Sequence, residues 1–595
     1  MTTKSTRGPR RRTVVALAVV LAVLGAFFVR LVDIQVVNAD EHISDSMENA
    51  LGASRTLYGT RGSIVDTSGQ TLAGSILLYD CQLSPLLITQ IDTDIANGTS
   101  TAKPWSEVSS RIATITASTP DAVQAIVSTA LAENSSSQYA KLGTGMPTEQ
   151  YRALADLDVP YLTCVPHPAR TYPDGAVAGN LLGFVGVDGD PLEGLEAMQQ
   201  SCLSATDGSL SFQQGKDGVV IPGTQREVPA VDGGTLRLTI NRDLNWYLQQ
   251  LIAEQTQDMG AANGSILVVE TKTGKIRAAA EYPTIDPNNV DGAGELDRSS
   301  RIFRGTFEPG STFKMLTAAT VMDAGGQTPL STVVASGRET FANGAVVRDA
   351  FGHPAYTYTL AGVLMDSSNA GISKFSEKVD SQTRYDYLKK FGIGEGTAVG
   401  FPGEAKGILR SPDQWDNQTV YNTSYGQGLT TTMAELAGAY AAIGNDGVRM
   451  PLSLVESCTK SDGTVLTPER PDPVQVVSAD TAAKTREILE NVFIQSGVSK
   501  PLLQSGYRVG GKTGTGEKPD LVNGGYKNGV YYTTMIGLAP IEDPKFVVVV
   551  TLDEPTKVKS SAANGTAFQK AVTQVLKTYR VLPSTTAPTL LPKLG

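Results

Sequence analysis

The sequence predicts an α+β protein carried on a single apolar N-terminal helix. Three observations lead there. An uncharged stretch runs from Thr13 to Val29 behind a basic cluster. From residue 235 onward, strand patterns come first, helical patterns fill the middle, and strands with a closing helix come last, a segregated order rather than the strict strand–helix alternation of a parallel sheet. With 595 residues the chain is too long for one compact core, so two or more domains are expected.

Lys4, Arg7, Arg10, Arg11 and Arg12 place five positive charges and no acid in residues 1–12. The apolar run that follows, extended to Val37 with Arg30 snorkelling toward the interface, is long enough for one membrane span. The basic cluster orients the N-terminus to the cytoplasm and the rest outside. No small-x-small cleavage site follows the run closely, so it reads as an uncleaved anchor over 13–37 rather than a signal peptide. The chain is 41% apolar and 18% charged, within the globular range. Its net charge is −10 despite the basic tail, so the remainder repels phosphate backbones and nucleic acid is not an expected partner. Cys81, Cys164, Cys202 and Cys458 fall on the exported side, where disulfides form. Their spacing is not a zinc pattern, no metal is expected, and a Cys164–Cys202 bridge is one pairing the sequence allows. Only His42, His167 and His353 are available as imidazoles, and each reads as a surface or packing residue.

Arg61 to Ala73 reads as strand, turn, strand, with Asp66–Gly69 supplying the turn. Thr119-Pro120-Asp121 and Pro147-Thr148-Glu149 are helix starts. Little before Val231 could do chemistry, so this span reads as an interaction or spacer domain. A boundary follows at Asp232-Gly233-Gly234. Thr235–Ile240 alternates as a strand and Arg242–Gln257 reads as a helix. Ser265–Glu270 and Lys275–Ala280 make a hairpin. An all-helical middle is expected next, then strands at 534–538 and 546–551 and a helix over 567–579. Pro583–Gly595 is Pro/Thr-rich and reads as a loose tail.

The chemistry centres on Phe307-Glu308-Pro309-Gly310-Ser311-Thr312-Phe313-Lys314. Pro309 and Gly310 break the chain before Ser311, which then opens a buried apolar helix, where backbone N–H groups favour developing negative charge. Lys314 returns to the same face one turn later. Behind an apolar wall its ammonium is costly, so its pKa falls toward that of a base able to take the serine proton. A second constellation, Ser367-Ser368-Asn369, could relay a proton and orient both lysines. A third, Val509-Gly510-Gly511-Lys512-Thr513-Gly514-Thr515-Gly516, has the glycines of an edge strand that pairs with an extended peptide. Gly506 to Thr513 also satisfies the phosphate-loop spacing, but Gly514-Thr515-Gly516 is a poor helix start, and ATP binding is rejected.

Ser-x-x-Lys, Ser-x-Asn and Lys-Thr-Gly in this order resemble the penicillin-recognising serine acyltransferases. Arg61-Gly-x-Ile-x-Asp66, Arg170-x-Tyr-Pro-x-Gly175, Gly194-Leu-Glu196, Thr239-Ile-Asn-Arg242, Phe401-Pro-Gly-Glu404, Tyr425-Gly-Gln-Gly-Leu-Thr430 and Ile536-Gly-Leu-Ala-Pro540 narrow the resemblance to the class B penicillin-binding proteins. It departs from the family at Thr67, Asn180 and Asn241. The resemblance implies an elongated mixed pedestal domain of the dimerisation type over 38–231. It also implies a β-lactamase-like transpeptidase domain, an antiparallel sheet flanked by helices, over 232–580, and leaves 581–595 as the tail. It implies a peptidoglycan D,D-transpeptidase whose catalytic residues are Ser311, Lys314, Ser367, Asn369 and Lys512. Thr513, Gly514 and Thr515 would bind substrate, and no cofactor is needed. Implied partners are stem peptides and nascent glycan strands, β-lactams, a membrane glycan polymerase and divisome proteins. Arg30-Leu31-x-x-x-Gln35 favours the division-specific septal branch. A class A β-lactamase would add a Glu with an Asn four residues on; Glu395, Glu404, Glu435 and Glu456 lack it. The alternative is a catalytically vestigial scaffold or β-lactam sensor that recruits wall-synthesis partners.

Overall fold

The computed structural model describes residues 7–33, 37, 52–186, 188–214, 220–294, 297–497, 504, 506–520 and 522–595. Lys4, Gln35 and His42 lie outside them. A helix spans Arg7–Val32, and its segment Thr13–Val32 is apolar and, at 20 residues, long enough to cross a membrane. Residues 1–60 and 205–232 form one compact unit, and 61–204 with 233–595 form a second. In the first, Gly52–Leu57 pairs antiparallel with Gly208–Gln213, which pairs with Arg226–Val228. Asp232 Oδ1 accepts from the backbone N and the hydroxyl of Thr60 at 2.8 and 2.7 Å.

The second unit has two parts. Helices Pro85–Ala96, Trp105–Ile115, Pro120–Glu133 and Thr148–Ala155 bury Ile88, Val108, Ile112, Val123, Val127 and Leu154 beside the long strand Thr71–Leu83. Thr119 caps its helix as expected, its hydroxyl accepting from Ala122 N. That long strand pairs with Leu162–Thr171 in a register that sets Cys81 opposite Cys164, and the two are disulfide-bonded. Cys202, closing a short helix, is bonded instead to Cys458 on strand Val455–Thr459. The Cys164–Cys202 pairing is therefore not formed, because strand register gives Cys164 to Cys81.

Three of the short motifs meet at one buried carboxylate. Glu196, with no exposed side-chain surface, accepts from Arg61 Nε and Arg170 Nε at 2.7 Å each and from Tyr172 Oη at 3.2 Å. Arg170 also donates to the Gly62 carbonyl at 2.6 Å. Asp66 takes the Ser68 and Gln70 amides on one oxygen and the Arg242 amide on the other, which ties this part to the catalytic domain. Two of the departures from family pattern are accommodated locally. Asn241 caps helix Arg242–Met259, and Asn180 bonds Asp297 O, Ser299 O and Ile285 N.

We number the elements of the catalytic domain in chain order: α1 Arg242–Met259, β1 Asn263–Glu270, β2 Ile276–Tyr282, α2 Lys314–Asp323, α3 Leu360–Met365, α4 Asn369–Ser376, α5 Met433–Gly444, α6 Ala479–Gln495, β3 Gly510–Pro519, β4 Tyr526–Ala539, β5 Phe546–Asp553 and α7 Gly565–Thr578. The strands form one antiparallel sheet in the order β2-β1-β5-β4-β3, with β3 on the edge. The near-continuous apolar runs of β1 and β5 follow from burial on both faces. Leu267, Val269, Val547 and Val549 pack with α5, while Ile266, Val268, Val548 and Val550 pack with α1 and α7. Helix α2 is buried all round, from Lys314 to Met322.

Two expectations are corrected here. The middle is not all helical. Thr332–Ala335 pairs with Tyr356–Thr359, and Arg338–Thr340 with Val346–Arg348, as the β-branched and aromatic content of these segments favours. Nor is the closing segment loose. Asn491 accepts from Leu591 N and donates to Thr589 O, Leu591 is buried, and Thr359 Oγ1 donates to Pro592 O at 2.7 Å.

Removing the charge at Glu196 leaves two arginines facing each other in a desolvated site. Glu196→Gln is expected to lower unfolding free energy by about 3 kcal/mol, measured by denaturant titration; a loss below about 1 kcal/mol contradicts the placement of this charge.

Candidate active site

The edge strand and a serine-bearing turn come together through glycines. Residues Gly310–Phe313 form a 3₁₀ turn that runs directly into α2. Gly310 adopts φ +54°, and a Cβ there would sit 2.8 Å from the Thr515 carbonyl oxygen. Across the gap a Cβ on Gly514 would meet the Pro309 oxygen at 2.6 Å, and one on Gly516 the Glu308 oxygen at 2.1 Å. Only glycine allows β3 to lie this close to the turn. From behind, Gly310 N donates to Gly426 O at 3.0 Å, Tyr440 Oη to Thr312 O at 2.7 Å, and Thr317 Oγ1 to Ser424 O at 2.8 Å. Gly426 and Tyr440 therefore brace the turn, and Ser424 braces the helix that follows it. Tyr440 was not legible as a site residue, because it sits in the Ala-rich run of α5 and reads as core.

Lys314 Nζ lies 3.1 Å from Ser311 Oγ and 3.1 Å from Ser367 Oγ, and it donates to the Ser367 carbonyl. Lys512 Nζ lies 3.0 Å from the same Ser367 Oγ and donates to the Thr513 carbonyl at 3.2 Å. One hydroxyl thus stands between two lysines, one of which also reaches Ser311. Both lysines are buried, at 0% and 1% exposure. Burial, and then the neighbouring Lys512 charge, hold Lys314 well below the ordinary lysine value, with Asp349 offsetting part of this. Burial alone brings Lys512 down to about 7.

The turn carrying Ser367 is a helix ending in the left-handed region. Ser368 N donates to Val363 O and Ser367 N to Leu364 O, the paired bonds of a Schellman motif that terminates α3. Ser367 occupies the position where glycine is usual, at φ +56°. Ser368 then caps α4, its hydroxyl accepting from Gly371 N at 2.8 Å. Asn369 does not orient the lysines directly: its Nδ2 donates to Arg348 O at 2.9 Å. Thr513 and Thr515 alternate with the buried Lys512, Gly514 and Gly516 along β3 and are half-exposed, and Thr515 Oγ1 accepts from Ser561 N at 3.2 Å. The Gly506–Thr513 stretch enters a strand rather than a helix, as the rejection of a phosphate loop requires. Glu487 does have an Asn four residues on, at 491, but Asn491 is taken up by residues 589–591. Among the described residues no cluster of His, Cys, Asp and Glu is arranged to hold a metal.

A family profile described as a penicillin binding protein transpeptidase domain matches residues 264–577, and one described as a penicillin-binding protein dimerisation domain matches 56–238. The penicillin-binding protein PbpB of Mycolicibacterium smegmatis is 32% identical over 545 residues, covering 88% of this chain and 83% of that protein. The chain belongs to the class B penicillin-binding proteins. This penicillin-binding protein is also similar to the peptidoglycan D,D-transpeptidase FtsI of Escherichia coli K12, 27% identical over 95% of this chain and 91% of that one. Among solved structures, penicillin binding protein 3 of Mycobacterium tuberculosis complexed with aztreonam is 27% identical, with a TM-score of 0.69 over 90% of this chain and 99% of that one.

A serine held at positive φ carries a backbone cost that glycine does not. Both Ser367→Gly and Ser367→Ala delete the hydroxyl, so their difference isolates the backbone. The Gly variant of this penicillin-binding protein is expected to be more stable than the Ala variant by about 1 kcal/mol in denaturant unfolding; the reverse order contradicts the turn.

Proposed function

We propose that this protein is a peptidoglycan D,D-transpeptidase that cross-links stem peptides through an acyl-enzyme on Ser311. The observation that carries the proposal is Ser367 Oγ within about 3 Å of two buried lysines, with Lys314 Nζ equally near Ser311 Oγ. A neutral Lys314 takes the Ser311 proton as Oγ bonds to the carbonyl carbon of the penultimate D-alanine. The bond to the terminal D-alanine nitrogen then breaks, and that nitrogen receives the proton from Lys314 through Ser367. An acceptor amine of a second stem peptide attacks the acyl carbon and gives a proton to Lys314, which returns it to Ser311 Oγ as the ester bond breaks, and the cross-link is complete. Lys512 attracts the substrate carboxylate, with Thr513 and Thr515 as hydrogen-bonding partners. Gly514 lets the peptide backbone lie along β3, and the amides of Ser311 and Thr515 receive the oxyanion. Asn369 acts on Ser367 through the turn it shares. No cofactor enters, because one amide is exchanged for another.

The same nucleophile takes β-lactams, in line with the aztreonam complex of the Mycobacterium tuberculosis relative. The domain reading that goes with this is a cytoplasmic tail over 1–12, an anchor over 13–37, a pedestal over 38–231 and a transpeptidase domain over 232–580. The basic cluster before the apolar helix supports a cytoplasmic N-terminus and an extracytoplasmic catalytic domain. A septal role, with a membrane glycan polymerase and divisome proteins as partners, is supported by the likeness to proteins named FtsI and PbpB. Depletion tests it: filaments are expected, and rounded cells contradict it.

Two measurements test the chemistry. Intact protein treated with a labelled penicillin is expected to carry one adduct on the tryptic peptide holding Ser311, lost in Ser311→Ala; an unlabelled wild type, or a labelled variant, contradicts the assignment. In the free enzyme the acylation rate constant rises with pH as Lys314 loses its proton through its depressed pKa. It falls as Lys512 loses its charge near pH 7. Lys512→Arg keeps its charge, so its falling limb moves to higher pH; an unmoved limb contradicts the role given to Lys512.

A further inference from the structure

The hydroxyl of Ser367 must stay between two lysines while its backbone sits in a region that serine disfavours. Such a conformation persists only where the surroundings over-determine it. The motif residues do not supply that hold, since Asn369 faces Arg348 O and the Ser368 hydroxyl caps α4. Side chains outside every motif do. On the near side of the turn, Asp366 accepts from Tyr358 Oη at 3.1 Å and from Lys593 Nζ at 2.6 Å. On the far side, Asp349 Oδ1 accepts from Ala370 N at 2.9 Å, and its other oxygen lies 2.8 Å from His353 Nε2. His353 and Asp349 expose only 7% and 4% of their side chains. The His353 ring stacks on Tyr356 and meets Tyr358 edge-on at 5.8 Å, so the two sides are joined beneath the turn.

Lys593 arrives on the closing segment, which is built in rather than draped over. Thr359 N donates to Lys593 O at 3.1 Å, Gly595 N donates to Thr357 O at 3.0 Å, and a Cβ on Gly362 would meet Lys593 O at 1.9 Å. Gly362 lies in α3, the helix that ends at the Ser367 turn. The Asp366–Lys593 pair is 25% and 37% exposed, so its contribution to global stability is small. What it controls is the place of one residue, the neighbour of Ser367.

We propose that Asp366 and Lys593 are positioning residues for Ser367. With Asp349 and His353 they hold its hydroxyl between Lys314 and Lys512, and the segment after α7 thereby becomes part of the reaction apparatus. This rests on the reading of Ser311 as nucleophile and Ser367 as proton relay. A shift of the hydroxyl by about 1 Å is enough to cost on the order of a hundredfold in rate.

The test is the second-order rate constant for acylation of the full chain by a fluorescent penicillin, with Tm measured for each variant. Lys593→Met and Asp366→Asn are expected to lose roughly ten- to a hundredfold, with Tm within about 2 °C of wild type. Lys593→Arg keeps the ion pair and recovers most of the rate. The double variant Lys593→Met/Asp366→Asn is no slower than the slower single one, because both remove the same contact. Tyr358→Phe, which deletes only a hydroxyl, loses a smaller factor. Single variants within about twofold of wild type overturn the proposal, as do losses that follow Tm and are not recovered by Lys593→Arg. A wild type that is never acylated removes the nucleophile reading itself, and this inference with it.

Discussion

Two lysine side chains buried around one serine hydroxyl set the terms for the rest of this protein. An ammonium taken out of water is costly unless a counter-charge meets it, and no carboxylate is hydrogen-bonded to either Nζ among the described contacts. Burial without such a partner lowers the pKa of both amines. Lys314 is buried and lies beside a second potential positive charge, so it is driven toward the neutral amine a base must be. The same burial that would destabilise an ordinary surface lysine here creates the reactive group. Everything that seals the site, from the packing of α2 to the close approach of β3, therefore contributes to the chemistry as well as to the fold.

Sealing the site required backbone that ordinary side chains cannot follow. Gly310, Gly514 and Gly516 leave out the Cβ atoms that would clash where the serine turn meets the edge strand. At Ser367 that freedom was given up, since a glycine there would have no hydroxyl to place between the lysines. The Ser367 turn closes α3 as a Schellman termination and runs straight into the helix that Ser368 caps. Farther out, the Glu196 ion cluster holds the spacer part together, and the Asp66 turn and the Cys202–Cys458 bridge join that part to the catalytic domain within one unit.

Much of this was legible in the residues. Continuous valines at 547–550 and the Thr271–Gly274 turn gave the core strands and hairpin, because burial on two faces and turn chemistry are local properties. The three motifs gave the reactive groups, since a serine, a lysine one turn away and a glycine-flanked lysine each have a chemical reason for their spacing. What was hidden depended on contacts distant in sequence. Cys81 faces Cys164 only because of strand register. The closing segment reads as loose by composition, yet Asn491 and Thr359 hold it through bonds spanning about a hundred residues and more. His353 looked like packing, and its partnership with Asp349 appears only once the strand pair at 338–348 folds back over α4. Asn369 was expected to face the lysines, and the backbone of Arg348 claims its amide instead.

The central claim is that burial, and then the neighbouring Lys512 charge, hold the Lys314 amine well below the ordinary lysine value, toward the neutral base. Lysine ε-carbon NMR on protein carrying ε-¹³C-labelled lysine, with Lys314→Arg used to assign the signal, measures this directly. A resonance absent from that variant should titrate well below the ordinary lysine range of about 10.4. If the Lys314 signal titrates with the surface lysines, the amine cannot serve as the base and the account fails.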